Sequence, residues 1–345
     1  MKPNFLINKW ANVIYRQTRL LLTGGLLILM SPSMISAQDT ATPIERSILS
    51  PLAIHSLLLD GVTMENRAIV VGERGHILVS DSPYSQWTQQ QPLTQATLTG
   101  IYFMNRQLGW AVGHDAIILR TQDSGQNWQQ VYYDPDDERP LLDIWFKDER
   151  HGFAIGAYGL FLETQDGGKQ WSPRQIIEED FHFNHISQAA NGKLYIAAEA
   201  GNIYRSDDQG QSWIALPSPY HGSFFGSLPL ASDSVLLFGL RGQLYRSADN
   251  GDHWQKITTG TEASLTEAHI LTDQTIIIVG LAGTVLLSHD QGHSFTLHPQ
   301  TDRKALSQVL QTSDDKVMLI GEAGIKSLAL DSNAGKTQPS PEKPQ

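Results

Sequence analysis

Three groups of residues in this 345-residue chain have the types and spacing to do chemistry. The first is a set of aspartates. Asp123, Asp166, Asp208, Asp249 and Asp290 each follow a threonine or serine by two residues and precede a glycine by two. An aromatic residue stands three positions further on, at Trp128, Trp171, Trp213, Trp254 and Phe295. A carboxylate so placed accepts N–H groups of its own tight turn, and the glycine supplies the positive φ the turn needs. That chemistry is structural. The second group is Arg74, Tyr158 and Arg241, whose guanidinium and phenol groups suit recognition of carboxylates or protein surfaces. The third is His182 and His185 beside Glu178, Glu179 and Asp180, which have the types of metal ligands. Two histidines three residues apart on a strand point to opposite faces, so the expectation is a solvated loop and no metal.

The elements that position these groups repeat. The aromatic positions, counted from Trp87, are spaced by 41, 43, 42, 41 and 41 residues. Fifteen residues before each lies a small residue: Gly72, Gly113, Gly156, Ala198, Gly239 and Gly280, and Gly321 continues the series. A short apolar run precedes each, and a second glycine follows three residues later in all copies but the one at His114-Asp115-Ala116. Each unit reads as strand, loop, strand, G-x-x-G turn, strand, S/T-x-D-x-G turn, strand. Four short strands in about 41 residues make one propeller blade. The runs are too short and too β-branched for an α-solenoid of similar period.

Seven such units predict an all-β, seven-bladed β-propeller over residues 38–331, built on the S/T-x-D-x-G-x-x-W hairpins known as Asp-boxes. The last unit lacks a box aromatic and a fourth strand, and residues 332–345 read as a disordered tail. The segment around residues 43–52 is left over at the other end. The expectation is that it pairs as the outer strand of blade seven and closes the ring, removing two exposed edges.

Composition limits the functions available. The formal charge of -11 argues against nucleic acid or anionic membrane surfaces as partners, and the absence of cysteine excludes disulfides, thiolate metal sites and a cysteine nucleophile. Lys2, Lys9, Arg16 and Arg19 precede an apolar run over residues 20–30, and Ala37 ends a small-residue stretch. That layout predicts a secretory signal peptide over residues 1–37, a periplasmic mature chain with no membrane span, and no lipid anchor. A retained signal anchor is the alternative, although the run is shorter than the roughly 20 residues a span needs.

Strand order puts the Asp-box turns on one face and the G-x-x-G turns and blade connections on the other. The second face holds the candidate binding residues Arg74, Asp115, Tyr158, His182, His185, Tyr220, His221 and Arg241, while Asp143, His185, Glu267 and Gln308 recur at one inner-strand position expected to line the channel. Asp-boxes also occur in sialidases, so a sialidase-like glycoside hydrolase or glycan-binding propeller is the alternative class. Such an enzyme needs three arginines, a tyrosine with a glutamate partner and an acid/base aspartate. Arg74 and Arg241 have no third arginine at their position.

The pattern I-x-F-x₅-G-W-A-V-G…I-L-R-T-x-D-x-G-x-x-W over residues 101–128, repeated over 144–171, resembles the photosystem II stability/assembly factor-like propellers. The segment Gly222-Ser223-Phe224-Phe225-Gly226 is similar to one of theirs. The resemblance implies an exported, non-enzymatic propeller that binds a membrane protein or envelope complex during assembly, and the expectation for this chain is a monomer without cofactors. It also implies an arginine-rich patch, of which only Arg74 and Arg241 stand at matching turns here.

Overall fold

The computed structural model describes residues 45–313 and 316–330. They form seven antiparallel sheets, six of four strands and one of three, each in sequential strand order. The first strands are Leu58–Met64, Leu98–Phe103, Leu141–Phe146, Phe183–Gln188, Phe224–Pro229, Leu265–Ile270 and Leu306–Ser313. Each touches the first strands of both neighbouring blades, and that of blade seven touches that of blade one, so these strands line the axis of a closed seven-bladed propeller.

The second strands are the most apolar, and from blade two to blade six every residue in them is buried. Packed on both faces by adjacent blades, they read as continuous hydrophobic runs rather than alternating ones. Seven hydrophobic clusters follow, one at each blade junction. The box aromatics serve these junctions. Trp128 packs between blades one and two, Trp171 between two and three, and the half-buried Trp213 and Trp254 against the next two clusters.

Ring closure differs from the expected outer-strand pairing. Among the described residues blade seven has three strands, ending with Gly324–Ala329. The N-terminal segment lies along blade one instead: Ser47 N–H donates to the Pro92 carbonyl at 3.0 Å, Ser50 N–H to Gln89 Oε1 at 2.8 Å, and Arg46 to the Gln91 carbonyl at 2.9 Å. Its backbone N–H groups and the Arg46 side chain bond to the outer strand and connection of blade one, and Ser47 Oγ donates to the Arg74 carbonyl in that blade's G-x-x-G turn at 3.2 Å. Closure is made near the axis. Ser307 Oγ donates to the Leu58 carbonyl at 2.8 Å and Gln308 Nε2 to Asp60 Oδ1 at 2.8 Å, over a cluster joining Leu58, Ala68 and Val70 to Leu310, Met318 and Ile320. The expected signal peptide and tail lie outside the described residues.

Candidate functional site

The box aspartates are occupied by their own turns. In blade four, Ser206 Oγ donates to Asp208 Oδ1 at 2.8 Å and accepts the Gly210 N–H at 2.7 Å. Asp208 Oδ1 also accepts the Ser212 N–H at 2.8 Å. The same hydroxyl–carboxylate–glycine arrangement recurs at Thr121/Asp123, Thr164/Asp166, Ser247/Asp249 and Ser288/Asp290. Hydrogen bonds from Ser212, and at the equivalent place from His253, favour the ionised form and hold Asp208 and Asp249 at about 2. Such an acid cannot hold a proton at neutral pH for general acid catalysis.

Each of these turns is also the point at which its blade docks on the preceding one. A Cβ on Gly210, whose φ is +91°, would fall 2.3 Å from the Phe153 ring of blade three. Arginines of the preceding blade then clasp the turn carbonyls. Arg67 reaches Ser124, Arg120 reaches Gly167, Arg174 reaches Gly210, Arg205 reaches Asn250 and Arg246 reaches Gln291, at 2.9 to 3.2 Å. Sequence reasoning missed this series. Its signal was the arginine just before the box hydroxyl in Arg120-Thr121, Arg205-Ser206 and Arg246-Ser247. In blade three that position is Glu163, which pairs with Arg174 at 3.2 Å, and Arg174 makes the clasp from the outer strand.

On the opposite face, the third residue of the G-x-x-G-type turn has left-handed backbone in blades one to six. Arg74, Asp115, Tyr158 and Arg241 have φ between 51° and 57°. Ala200 and Ala282 share the conformation at φ 55°, so it belongs to the turn and is not strain reserved for a site. It places four of the candidate side chains at equivalent apices, those of Arg74, Asp115 and Arg241 exposed and that of Tyr158 half-buried. They stand on blades one, two, three and five, spread along a rim. Arg74 and Arg241, at least two blades apart around the ring, do not converge with Tyr158 as an arginine triad requires.

The structure does bring Tyr158 and His182 together, edge to face with ring centroids 4.6 Å apart. Glu199 joins them, with Oε2 3.7 Å from His182 Nε2, at the connection between blades three and four. Tyr220 packs edge to face on Phe224 at 6.0 Å, in the next connection, and His221 beside it is exposed.

His185 turns away from that face and into the channel, where its Nε2 lies 3.9 Å from Asp143 Oδ2. His182 and His185 therefore take separate partners. Asp60 shares the channel position, which sequence reasoning had not assigned to it. Asp60 accepts the Ile101 N–H of blade two at 2.8 Å, and Asp143 the Ile186 N–H of blade four at 2.9 Å. Glu267 accepts its neighbouring Ala268 N–H at 2.9 Å. Burial pushes the Glu267 carboxyl up to about 7; His185 and the Ala268 N–H oppose the shift, and Asp60 and Asp143 add to it.

The fold and these two faces define an Asp-box propeller with structural boxes on one side and a rim of polar turns and connections on the other. The comparisons give this class a family likeness. A family model described as "Photosynthesis system II assembly factor YCF48" matches residues 130–270. The chain is 38% identical over 144 residues to the "Photosystem II assembly protein Ycf48" of Thermosynechococcus vestitus, covering 39% of each chain. It is 42% identical over 140 residues to the "Photosystem II assembly lipoprotein Ycf48" of a Nostoc species, covering 40% of this chain and 41% of that one. The match thus spans about two fifths of the length of these curated relatives. Among solved structures, "YCF48 bound to D1 peptide" aligns with a TM-score of 0.67 at 19% identity, over 84% of this chain and 97% of that one, which shows the shared fold.

Proposed function

We propose that this chain is an exported, non-catalytic propeller that binds a protein client, a membrane protein or envelope complex, during assembly. The client docks on the rim carrying the G-x-x-G turns and blade connections. The observation that carries this reading is the family match over residues 130–270, a stretch that holds Tyr158, His182, Tyr220, His221 and Arg241. A relative in that family has been solved with a peptide bound, and two others are named as assembly proteins. The geometry supports it physically. Arginine and tyrosine are enriched at interface hot spots, and side chains spread over several blades suit an extended surface better than a small substrate. The leader over residues 1–37 fits export to the periplasm, and no helix of the described residues is long and apolar enough to cross a membrane.

The test is capture of clients from detergent-solubilised envelope membranes by the tagged protein. Arg74→Glu with Arg241→Glu is expected to weaken capture at least about tenfold at an unchanged melting temperature. Undiminished capture by that variant would remove the rim from the interface. Reproducible hydrolysis of an aryl-sialoside, lost in the same variant, would make the protein an enzyme instead.

A further inference from the structure

Five large hydrophobic side chains are exposed among the described residues, and four of them gather at one place. Ile48, Leu49 and Leu52 are 66%, 57% and 67% exposed within a stretch of five residues. Leu93, 36% exposed, adjoins them, because Ser47 N–H is bonded to the carbonyl of Pro92. Beside this segment runs a groove of about 350 Å³ lined by Leu49, Ala53, Ile54, Leu78, Trp87 and Gln89. Scattered single apolar residues on a surface need no explanation, but a contiguous patch marks an interaction site.

We propose that residues 48–52, with Leu93 and Trp87, form a membrane-contact patch that seats the propeller on a lipid bilayer. Three observations select a bilayer as the occupant. The aliphatic side chains protrude, with Ile48 and Leu52 two-thirds exposed, as insertion among acyl chains requires. No residue from 47 to 54 is charged, although the chain carries a formal charge of -11, so this stretch can approach an anionic leaflet without local repulsion. The half-buried Trp87 supplies the amphipathic ring that favours the headgroup region. The position in the chain agrees. The patch follows the leader closely, and the Nostoc relative is named a lipoprotein while this chain has no cysteine to carry a lipid. The aliphatic strap supplies by side chains the weak membrane affinity that an acyl chain would otherwise give.

The experiment is vesicle flotation of the mature chain expected once residues 1–37 are removed. The vesicles are phosphatidylcholine alone, or phosphatidylcholine mixed with phosphatidylglycerol. The protein is expected to float with both, no more strongly with the anionic mixture, and raised salt should not release it. Ile48→Ser, Leu49→Ser and Leu52→Ser together should reduce the vesicle-bound fraction about tenfold or more at an unchanged melting temperature. Client capture in detergent through the Arg74 and Arg241 rim should be unaffected, which separates this contact from the proposed function. The proposal falls if the parent protein floats with neither vesicle, or if the triple variant floats equally well. Binding that needs phosphatidylglycerol and vanishes in salt overturns it as well. So does loss of client capture by the triple variant without any vesicle binding, since the patch would then be a protein site.

Discussion

Glu267 sits where the channel wall offers its carboxylate one backbone N–H, from Ala268, and faces two other acids, Asp60 and Asp143. Burial and those neighbours favour the protonated form, so its folded-state pKa of about 7 lies above its ordinary value of 4.5. The sign follows from linkage. The stabilising contribution of the protonated carboxyl is fully present below about pH 4.5 and is lost as pH rises through 7. Glu267→Gln keeps the size and removes the titration. It should therefore melt like the parent near pH 4.5 and be more stable at pH 8, by about 1–3 kcal/mol. Thermal melts of both proteins across that range check this, and parallel curves would refute it. The box aspartates behave in the opposite sense. Asp208, Asp249 and Asp290, held at about 2, contribute stability present above the ordinary carboxylate range that disappears only as pH falls toward 2. The presence of Glu267 in the channel was readable from the repeat, whereas its proton affinity was not. That depends on which side chains three other blades bring toward the axis, and sequence spacing carries no such distance.

At the scale of the blade, local pattern and long-range contact were unequally legible. The first strands Leu98–Phe103, Leu141–Phe146 and Leu265–Ile270 have the bounds that their apolar runs suggest, and each opens on a fully buried leucine, Leu98, Leu141 or Leu265. Outer strands as short as Ser172–Pro173 and Ile214–Ala215 leave almost no period to read. The arginine clasps were invisible for another reason: their acceptors are backbone carbonyls 36 to 57 residues away, and a carbonyl has no residue type. Arg120 makes the most buried of them, its side chain only 9% exposed with Nε 2.9 Å from the Gly167 carbonyl. Arg120→Met keeps much of the aliphatic packing and leaves that carbonyl without its charged donor. The expected cost is about 1–3 kcal/mol, a fall in melting temperature of roughly 3–8 °C. Arg246→Met, which loses a more exposed 3.2 Å bond, should cost less. Equal effects from the two substitutions would mean that burial does not set the strength of the clasp.

At the scale of the whole ring, the junctions are not equivalent. Five of the seven, from blades one and two through five and six, combine an apolar cluster with an arginine clasp. Among the described residues, blade seven has no Asp-box and no fourth strand, so its two junctions rely on their clusters and on bonds near the axis. The leftover N-terminal segment and the missing outer strand suggested each other in sequence. The physical outcome was decided by Ser47, Ser50 and Arg46, whose partners are on blade one. The seam between blades seven and one then depends on Ser307 and Gln308. Thr266 makes the counterpart of the Ser307 bond one junction earlier, donating to the Leu306 carbonyl at 2.8 Å. Each of these bonds contributes on the order of 1 kcal/mol. A ring of covalently consecutive blades opens most readily where no chain connection crosses the junction, and among the described residues only the seam between seven and one lacks a connection. Ser307→Ala with Gln308→Met should therefore lower the melting temperature by roughly 4–8 °C, while Thr266→Ala lowers it by about half as much or less. Amide exchange in the double variant should rise first in Leu58–Met64 and Leu306–Ser313, ahead of the first strands of blades two to five. Uniform acceleration around the ring would show that the blades open together and that the seam has no special place in unfolding.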